Sequence, residues 1–252
     1  MARPTFSIVT VCRNAEASIT RAMKSVLNQT FDDYEYLIID GASTDKTGEY
    51  VQKLAPTFGG KLHYTSEPDE GIYDAMNKGL EAASGQFVAF LNADDWYEPD
   101  TLATVAALIK TGIDSIGGAI RIHAQDGSVI ERAPRTELLS RPFPPAMPAG
   151  HQSWFVRTEL LRELGGFDTD FRIAADYELF LRVQKLNRLW VFTPKVLSNF
   201  TLGGTSYALI ETAREYRQAK RANGDSFLHA WFVYLRNVTA SLMVRSGAIR
   251  GQ

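Results

Sequence analysis

The sequence predicts an α/β fold built on a sheet of short, buried strands with helical crossovers, followed by a helical tail. Three observations predict it. Short β-rich runs alternate with helical stretches through the first half of the chain, which is the pattern of βαβ units with right-handed crossovers. The middle runs are apolar enough for strands buried on both faces. The residues just past each run are unusually polar: Arg13-Asn14, Asp40-Gly41, Glu67-Pro68-Asp69 and Asn92-Ala93-Asp94-Asp95. In such sheets the ligand crevice lies outside the carboxyl ends of the strands, so these four turns are where function is expected.

Taken in order, residues 6–11 (FSIVTV), 34–40 (YEYLIID), 62–66 and 87–91 (FVAFL) read as strands. Residues 15–27 place Ile19, Ala22, Met23, Val26 and Leu27 on one helical face, and Thr44 or Asp45 offers a cap for a helix carrying Val51 and Leu54. Further on, 115–122 and 128–132 flank Asp126-Gly127, a hairpin-turn pair. Residues 141–149 hold four prolines, which exclude regular structure and predict a mobile lid. Helix returns over 176–186, an extended stretch covers 189–200, and helices continue through the tail.

Composition narrows the function. At 252 residues, 45% hydrophobic and 22% charged, the chain reads as one large globular domain with a tail. A net charge of −2 lacks the basic excess of a nucleic-acid binder, so no nucleic-acid partner is expected. A single cysteine, Cys12, excludes an intrachain disulfide and a multi-cysteine metal site. With no signal-peptide core and no long apolar run, the expected compartment is the cytoplasm. Residues 212–252 carry seven Lys/Arg against two Asp/Glu, with Phe227, Trp231, Tyr234, Leu235, Val238 and Leu242 at helical spacing. That is either a terminal helix packed on the domain or a basic amphipathic helix lying on an anionic membrane.

The chemistry concentrates in four places. Asn92, Ala93, Asp94 and Asp95 end a buried strand in oxygen-bearing side chains, which suit Mg²⁺ or Mn²⁺ shared with substrate phosphates, or else cap the next helix. Asp40, with Ser43 and Asp45 just beyond it, suits hydrogen bonding to a base or ribose. Residues 67–79 combine Asp69, Gly71, Asp74, Asn77 and Lys78 on a loop entering a helix. Asp176 starts a helix as an ordinary N-cap or a positioned base. His151 and Gln152 follow the proline-rich loop as structural or acceptor-side residues. Gly203-Gly204-Thr205-Ser206 is a plain turn or a loop closing near a diphosphate.

These residues carry a resemblance. Over roughly 5–205 the chain resembles the family 2 inverting glycosyltransferases of GT-A fold. The matching pieces are Ser7-Ile-Val-Thr-Val, Ile39-Asp40-Gly-Ala-Ser-Thr-Asp45-Lys-Thr47, Phe90-Leu-Asn-Ala-Asp94-Asp95, Gly165-Gly-Phe-Asp168 and Ala175-Asp176-Tyr-Glu-Leu-Phe-Leu-Arg182. Residues 67–79 look most like the bacterial exopolysaccharide and lipopolysaccharide branch that includes the colanic-acid enzymes. The resemblance implies a Rossmann-like mixed sheet flanked by helices. It divides the chain into a glycosyltransferase domain at 1–205, with a donor half to about 112 and an acceptor half from about 113, and a helical extension at 206–252.

The resemblance also implies roles. Asp176 stands at the general base. Thr10, Arg13, Asn14, Asp40 and Ser43 would meet the nucleoside, and Asp69, Gly71, Asp74, Asn77, Lys78, Asn92, Ala93 and Asp94 the rest of a UDP- or GDP-type sugar donor. Asp94, helped by Asn92 and Asp95, would hold Mn²⁺ or Mg²⁺, and His151 and Gln152 would face a glycan or polyprenyl-linked acceptor at the cytoplasmic membrane surface. Oligomerisation as a homo-oligomer is left open. Two departures stand out: Asn92 replaces the first acid of the family's DxD motif, and Met76 stands where many relatives have arginine.

Rival classes lack their signatures. A nucleotidyltransferase would need a glycine-rich basic loop after the first strand, where this chain has Val11-Cys12-Arg13-Asn14-Ala15. Neither G-x-G-x-x-G nor G-x-x-x-x-G-K-[ST] occurs. A non-catalytic nucleotide-sugar binder remains as the alternative.

Overall fold

The structure is a computed structural model that describes residues 3–124, 126–202, 209–231 and 234. Four strands, β1 (Phe6–Cys12), β2 (Tyr34–Asp40), β3 (Leu62–Ser66) and β4 (Phe87–Phe90), pair in parallel in the order β3-β2-β1-β4. Helices α1 (Ile19–Leu27), α2 (Thr47–Leu54) and α3 (Ile72–Ala82) make the crossovers. Every residue of β1 is buried, and its alternation splits the core in two. Val9 and Val11 face Tyr73, Met76 and Leu80 of α3, whereas Phe6 and Ile8 face Ile19, Met23 and Val26 of α1. Gly79 lets α3 lie close to β1, since a Cβ there would sit 2.3 Å from Val9 Cγ1.

Past β4 the sheet turns mixed. β8 (Trp154–Arg157) runs antiparallel to β4, β6 (Ile113–His123) antiparallel to β8, and β9 (Leu189–Thr201) parallel to β6. β5 (Trp96–Tyr97) pairs with β9, and β7 (Val129–Arg132) forms the hairpin with β6. The strand direction therefore reverses at β4, which makes its carboxyl end a switch point where a crevice opens. Helices α4 (Thr101–Leu108), α5 (Thr158–Glu163), α6 (Ala175–Lys185) and α7 (Leu209–Ala222) follow, with short 3-10 turns at Ala55–Phe58, Thr136–Ser140 and His151–Ser153.

Several sequence expectations change in detail. α1 begins at Ile19, because residues 13–18 form a turn with Asn14 at φ +51° and with the Ala15 and Glu16 amides donating to Thr47 and Asp45. Asp94 and Asp95 cap no helix: β5 intervenes and α4 starts at Thr101 behind Asp100. Asp176 lies inside the first turn of α6, whose N-cap is Ala174. The proline-rich segment has no helix or strand, as expected. It is nevertheless restrained at Arg141, Phe143, Pro144 and Pro148, whose carbonyls accept from Gln184, Lys220, the Tyr177 hydroxyl and the Arg135 amide.

The tail packs on the domain as far as it is described. Tyr216 of α7 stacks on Tyr177 with ring centroids 4.1 Å apart, and Asn223 donates to the buried Glu178 carboxylate, which also pairs with Arg182. Phe227 and Leu228 are exposed, while Trp231 lies 4.6 Å from the Arg217 guanidinium. Leu235, Val238, Leu242 and the Gly203-Gly204-Thr205-Ser206 loop fall outside the described residues.

Candidate active site

A cleft of about 400 Å³ opens at the switch point. Its polar wall joins Arg13 and Asn14 after β1, Asn92, Ala93 and Asp94 after β4, His151 before β8, and Asp176 at the start of α6. Its floor is apolar, with Tyr73, Met76, Phe90, Trp154 and Phe167.

The turn after β4 is fixed from outside. Arg21 of α1 donates to the Asp94 carbonyl at 2.6 Å while its guanidinium lies 3.8 Å above the Trp96 ring. That leaves Asn92 Oδ1 buried and unbonded, while the buried Asp95 carboxylate is approached by the Gln152 side chain and the Thr201 backbone without a close hydrogen bond to either. Burial, reinforced by the Asp94 charge, pushes the Asp95 carboxyl up to about 8. Unbonded oxygens beside a cleft-facing Asp94 fit a hard cation. Among the described residues no three His, Cys, Asp or Glu side chains cluster to hold one alone, so the phosphates of a bound ligand would have to complete the shell.

At the start of α6, Asp176 Oδ1 accepts from the Tyr177 amide at 2.7 Å and Oδ2 faces His151 Nδ1 at 3.5 Å. The other ring nitrogen of His151 lies 3.2 Å from Asn92 Nδ2. Burial raises the Asp176 carboxyl above its ordinary value, opposed by His151, and burial lowers the His151 imidazole, opposed by Asp176 and Asp94. The side chain of Asp176 keeps about 24% of its surface exposed, which leaves it accessible from the cleft. The Glu215 carboxylate of α7 receives the Arg172, Ile173 and Ala174 amides at 3.0, 2.8 and 2.8 Å, clamping the entry to α6. Glu215 and Arg21 were not singled out by sequence; Glu215 is one of only two acids in a basic tail, which is the one signal that marked it.

Other expected site residues are placed elsewhere. Asp40 is buried, and its carboxylate accepts from the Ser43 amide and hydroxyl, Tyr64 and Ser66. Burial alone would raise this carboxyl, but those hydrogen bonds hold it below its ordinary value. Its acceptors are taken up in shaping the 40–47 loop, and Ser43 is committed with it. Thr10 is likewise buried, accepting from Tyr36. Asp69 bonds the Gly71 amide, Asp74 bonds the Glu70 amide, and Lys78 ties Glu67, Asp74 and the Pro68 carbonyl together. Asn77 bonds both the amide and the carbonyl of Phe167 at 2.8 Å, joining α3 to the Gly165-Gly166 turn. Gln152 is buried, with its side chain directed at the Asp95 carboxylate.

A mixed sheet with an acid-and-amide turn at its switch point, facing a carboxylate at a helix start, is the layout of a GT-A glycosyltransferase. Solved structures share the fold. A mannosyltransferase, PcManGT from Pyrobaculum calidifontis in complex with GDP-Man and Mn²⁺, matches with TM-score 0.72 at 23% identity over 100% of this chain and 77% of that one. S. aureus TarS 1-349 in complex with UDP-GlcNAc matches with TM-score 0.69 at 21% identity over 93% and 71%. The description Glycosyl transferase family 2 matches residues 7–165, and the chain belongs to that family. A PGL/p-HBAD biosynthesis glycosyltransferase of Mycobacterium bovis (strain BCG / Pasteur 1173P2) is 34% identical over 185 residues, 72% of this chain and 70% of that protein.

Proposed function

We propose that the protein transfers a sugar, with inversion, from a nucleoside-diphosphate sugar to a hydroxyl of a glycan or polyprenyl-linked acceptor in cell-surface polysaccharide synthesis. The observation that carries this reading is that Asp176 and Asp94 line one cleft, with His151 between the turn after β4 and the start of α6. Arg13 and Asn14 would meet the nucleoside on the β1 side, and Asn92 and Asp94 the diphosphate. Asp94, with Asn92 Oδ1 and Asp95, would hold Mn²⁺ or Mg²⁺, which when bound supplies positive charge against the departing diphosphate.

Asp176 then takes the proton of the acceptor hydroxyl. The freed oxygen attacks the anomeric carbon as the bond from that carbon to the diphosphate oxygen breaks on the opposite face, and the nucleoside diphosphate leaves with the bonding pair. His151 and the apolar floor exclude water from this line, which favours transfer over hydrolysis. The complexes of solved neighbours with UDP-GlcNAc and GDP-Man support a nucleotide-sugar donor.

The exposed Phe227 and Leu228 on the basic tail support work at an anionic membrane surface. Among the described residues no helix is long and apolar enough to cross a membrane. The test is a panel of nucleotide sugars with Mn²⁺ or Mg²⁺, reading released UDP or GDP. Release that requires Asp176 supports the reading; no release from any donor, with any acceptor, defeats it.

A further inference from the structure

Asn92 and Asp176 lie on different elements of the cleft wall, yet one side chain reaches both. His151 places Nε2 3.2 Å from Asn92 Nδ2 and Nδ1 3.5 Å from Asp176 Oδ2. Each of these contacts constrains the other. A neutral imidazole carries one proton, so one ring nitrogen donates and the other accepts. The carboxylate of Asp176 only accepts when ionised, so the proton belongs on Nδ1. Nε2 is then bare and needs a donor, which the amide nitrogen of Asn92 is and a carboxylate at that position is not. The same orientation leaves Asn92 Oδ1 buried and unbonded, free for a ligand of the cleft.

We infer that Asn92, His151 and Asp176 act as one line, in which the hydrogen bond from the Asn92 amide fixes the tautomer of His151 and the Nδ1–H of His151, at ion-pair distance from Asp176 Oδ2, closes on that carboxylate and holds it in its working orientation. The inference rests on reading Asp176 as the general base and makes His151 and Asn92 its positioning residues. It also gives a reason for the departure at position 92. An acid there would draw a proton onto Nε2, and in the neutral ring that proton comes from Nδ1, which would turn a lone pair towards Asp176. The amide keeps an oxygen for the donor side while securing the base on the acceptor side. Histidines oriented through their second nitrogen in this way are a common means of fixing a neighbouring group.

The test is nitrogen NMR of the full chain labelled with ¹⁵N-histidine, in metal-free buffer. There are four histidines, His63, His123, His151 and His229, and the His151 signals are the pair lost in His151→Gln. The expected result is a protonated Nδ1 and an unprotonated Nε2, with Nε2 gaining a proton in Asn92→Asp. Kinetics supply the second readout: His151→Ala lowers kcat roughly 10-fold or more with donor affinity unchanged, because the base is misplaced. His151→Gln, whose amide can donate to Asp176 and accept from Asn92, recovers part of that loss. An Nε2 that carries a proton in the unaltered protein, an Nε2 that stays bare in Asn92→Asp, or an unchanged kcat in His151→Ala overturns the inference. Transfer by Asp176→Asn reports on the base assignment alone, so the nitrogen spectrum can fail or succeed independently of it.

Discussion

The Glu215 carboxylate accepts the Ala174 amide at 2.8 Å, two residues before Asp176, so α7 grips the segment that presents the candidate base. The same carboxylate takes two further amides of that segment. Glu215→Ala leaves these donors without their acceptor and is expected to cost about 2–3 kcal/mol. It should also lower kcat with donor affinity unchanged. Thermal unfolding and donor titration, run beside the transfer assay, check both parts. A variant with normal stability and normal kcat contradicts the clamp.

Asp176→Asn should cut turnover by about 10²–10⁴-fold and spare donor binding. The base works only when ionised, and burial raises its carboxyl above the ordinary value. Activity should therefore fall as pH drops through a midpoint higher than that of a free aspartate. A kcat/KM profile against pH with its acid limb at the ordinary carboxylate value argues against Asp176 as the group that titrates.

Asp94→Ala should weaken nucleoside-diphosphate binding in Mn²⁺ or Mg²⁺ and change it little in chelator, since the proposed role of the side chain is to hold a cation shared with the diphosphate. Isothermal titration with UDP and with GDP, each with and without metal, gives the comparison. Full transfer activity in excess chelator would remove the cation from the scheme.

Asp95 offers a pH test in the metal-free protein. Its carboxyl is raised to about 8 when folded, against ~3.9 for an unperturbed aspartate. The folded state therefore keeps a proton that the unfolded chain gives up. Stability from this group is whole below about pH 4, declines as pH rises towards 8, and is flat beyond. Asp95→Asn should gain melting temperature relative to the parent as pH goes from 5 to 8, at about 2–4 °C per kcal/mol for a chain of this size. Parallel melting curves across that pH range would contradict the raised, buried state of this carboxylate.

Membrane attachment is best tested without shortening the chain, because α7 supports the α6 entry. Phe227→Ser combined with Leu228→Ser removes two exposed apolar side chains and no described core contact. Co-sedimentation with phosphatidylglycerol vesicles at low and high salt should show salt-sensitive binding by the parent and weaker binding by the variant. No binding by the parent at low salt defeats the membrane reading.

The parallel half of the sheet was legible because β1, β2 and β4 are apolar runs and its helices keep a 3.6-residue period, whereas β3, expected to be buried on both faces, is an edge strand with His63, Thr65 and Ser66 exposed. Asn92, Asp94, His151 and Asp176 were legible as polar residues at strand or helix ends. Which acids point into the cleft was not. Asp40 and Asp94 both follow strands, but only Asp40 is met by Ser43, Tyr64 and Ser66, donors spread over 23 residues that a local pattern cannot assemble. The intramolecular partners of Asn77 and Lys78, on the Phe167 turn and in the 67–74 segment, were not legible either, because the sequence shows side-chain chemistry and not partners. The reversal of strand direction at β4 was hidden because β8 is short and its neighbours in the sheet come from distant parts of the chain.

The grip of Glu215 on the α6 entry also has a meaning in time. Strands β1 to β4 are complete by residue 90 and can pair as the chain leaves the ribosome, before most of the acceptor side exists. Asp176 emerges next, but the carboxylate that fixes its approach lies 39 positions later. During synthesis the segment that carries Asp176 therefore stays without its anchor until residue 215 has emerged and docked.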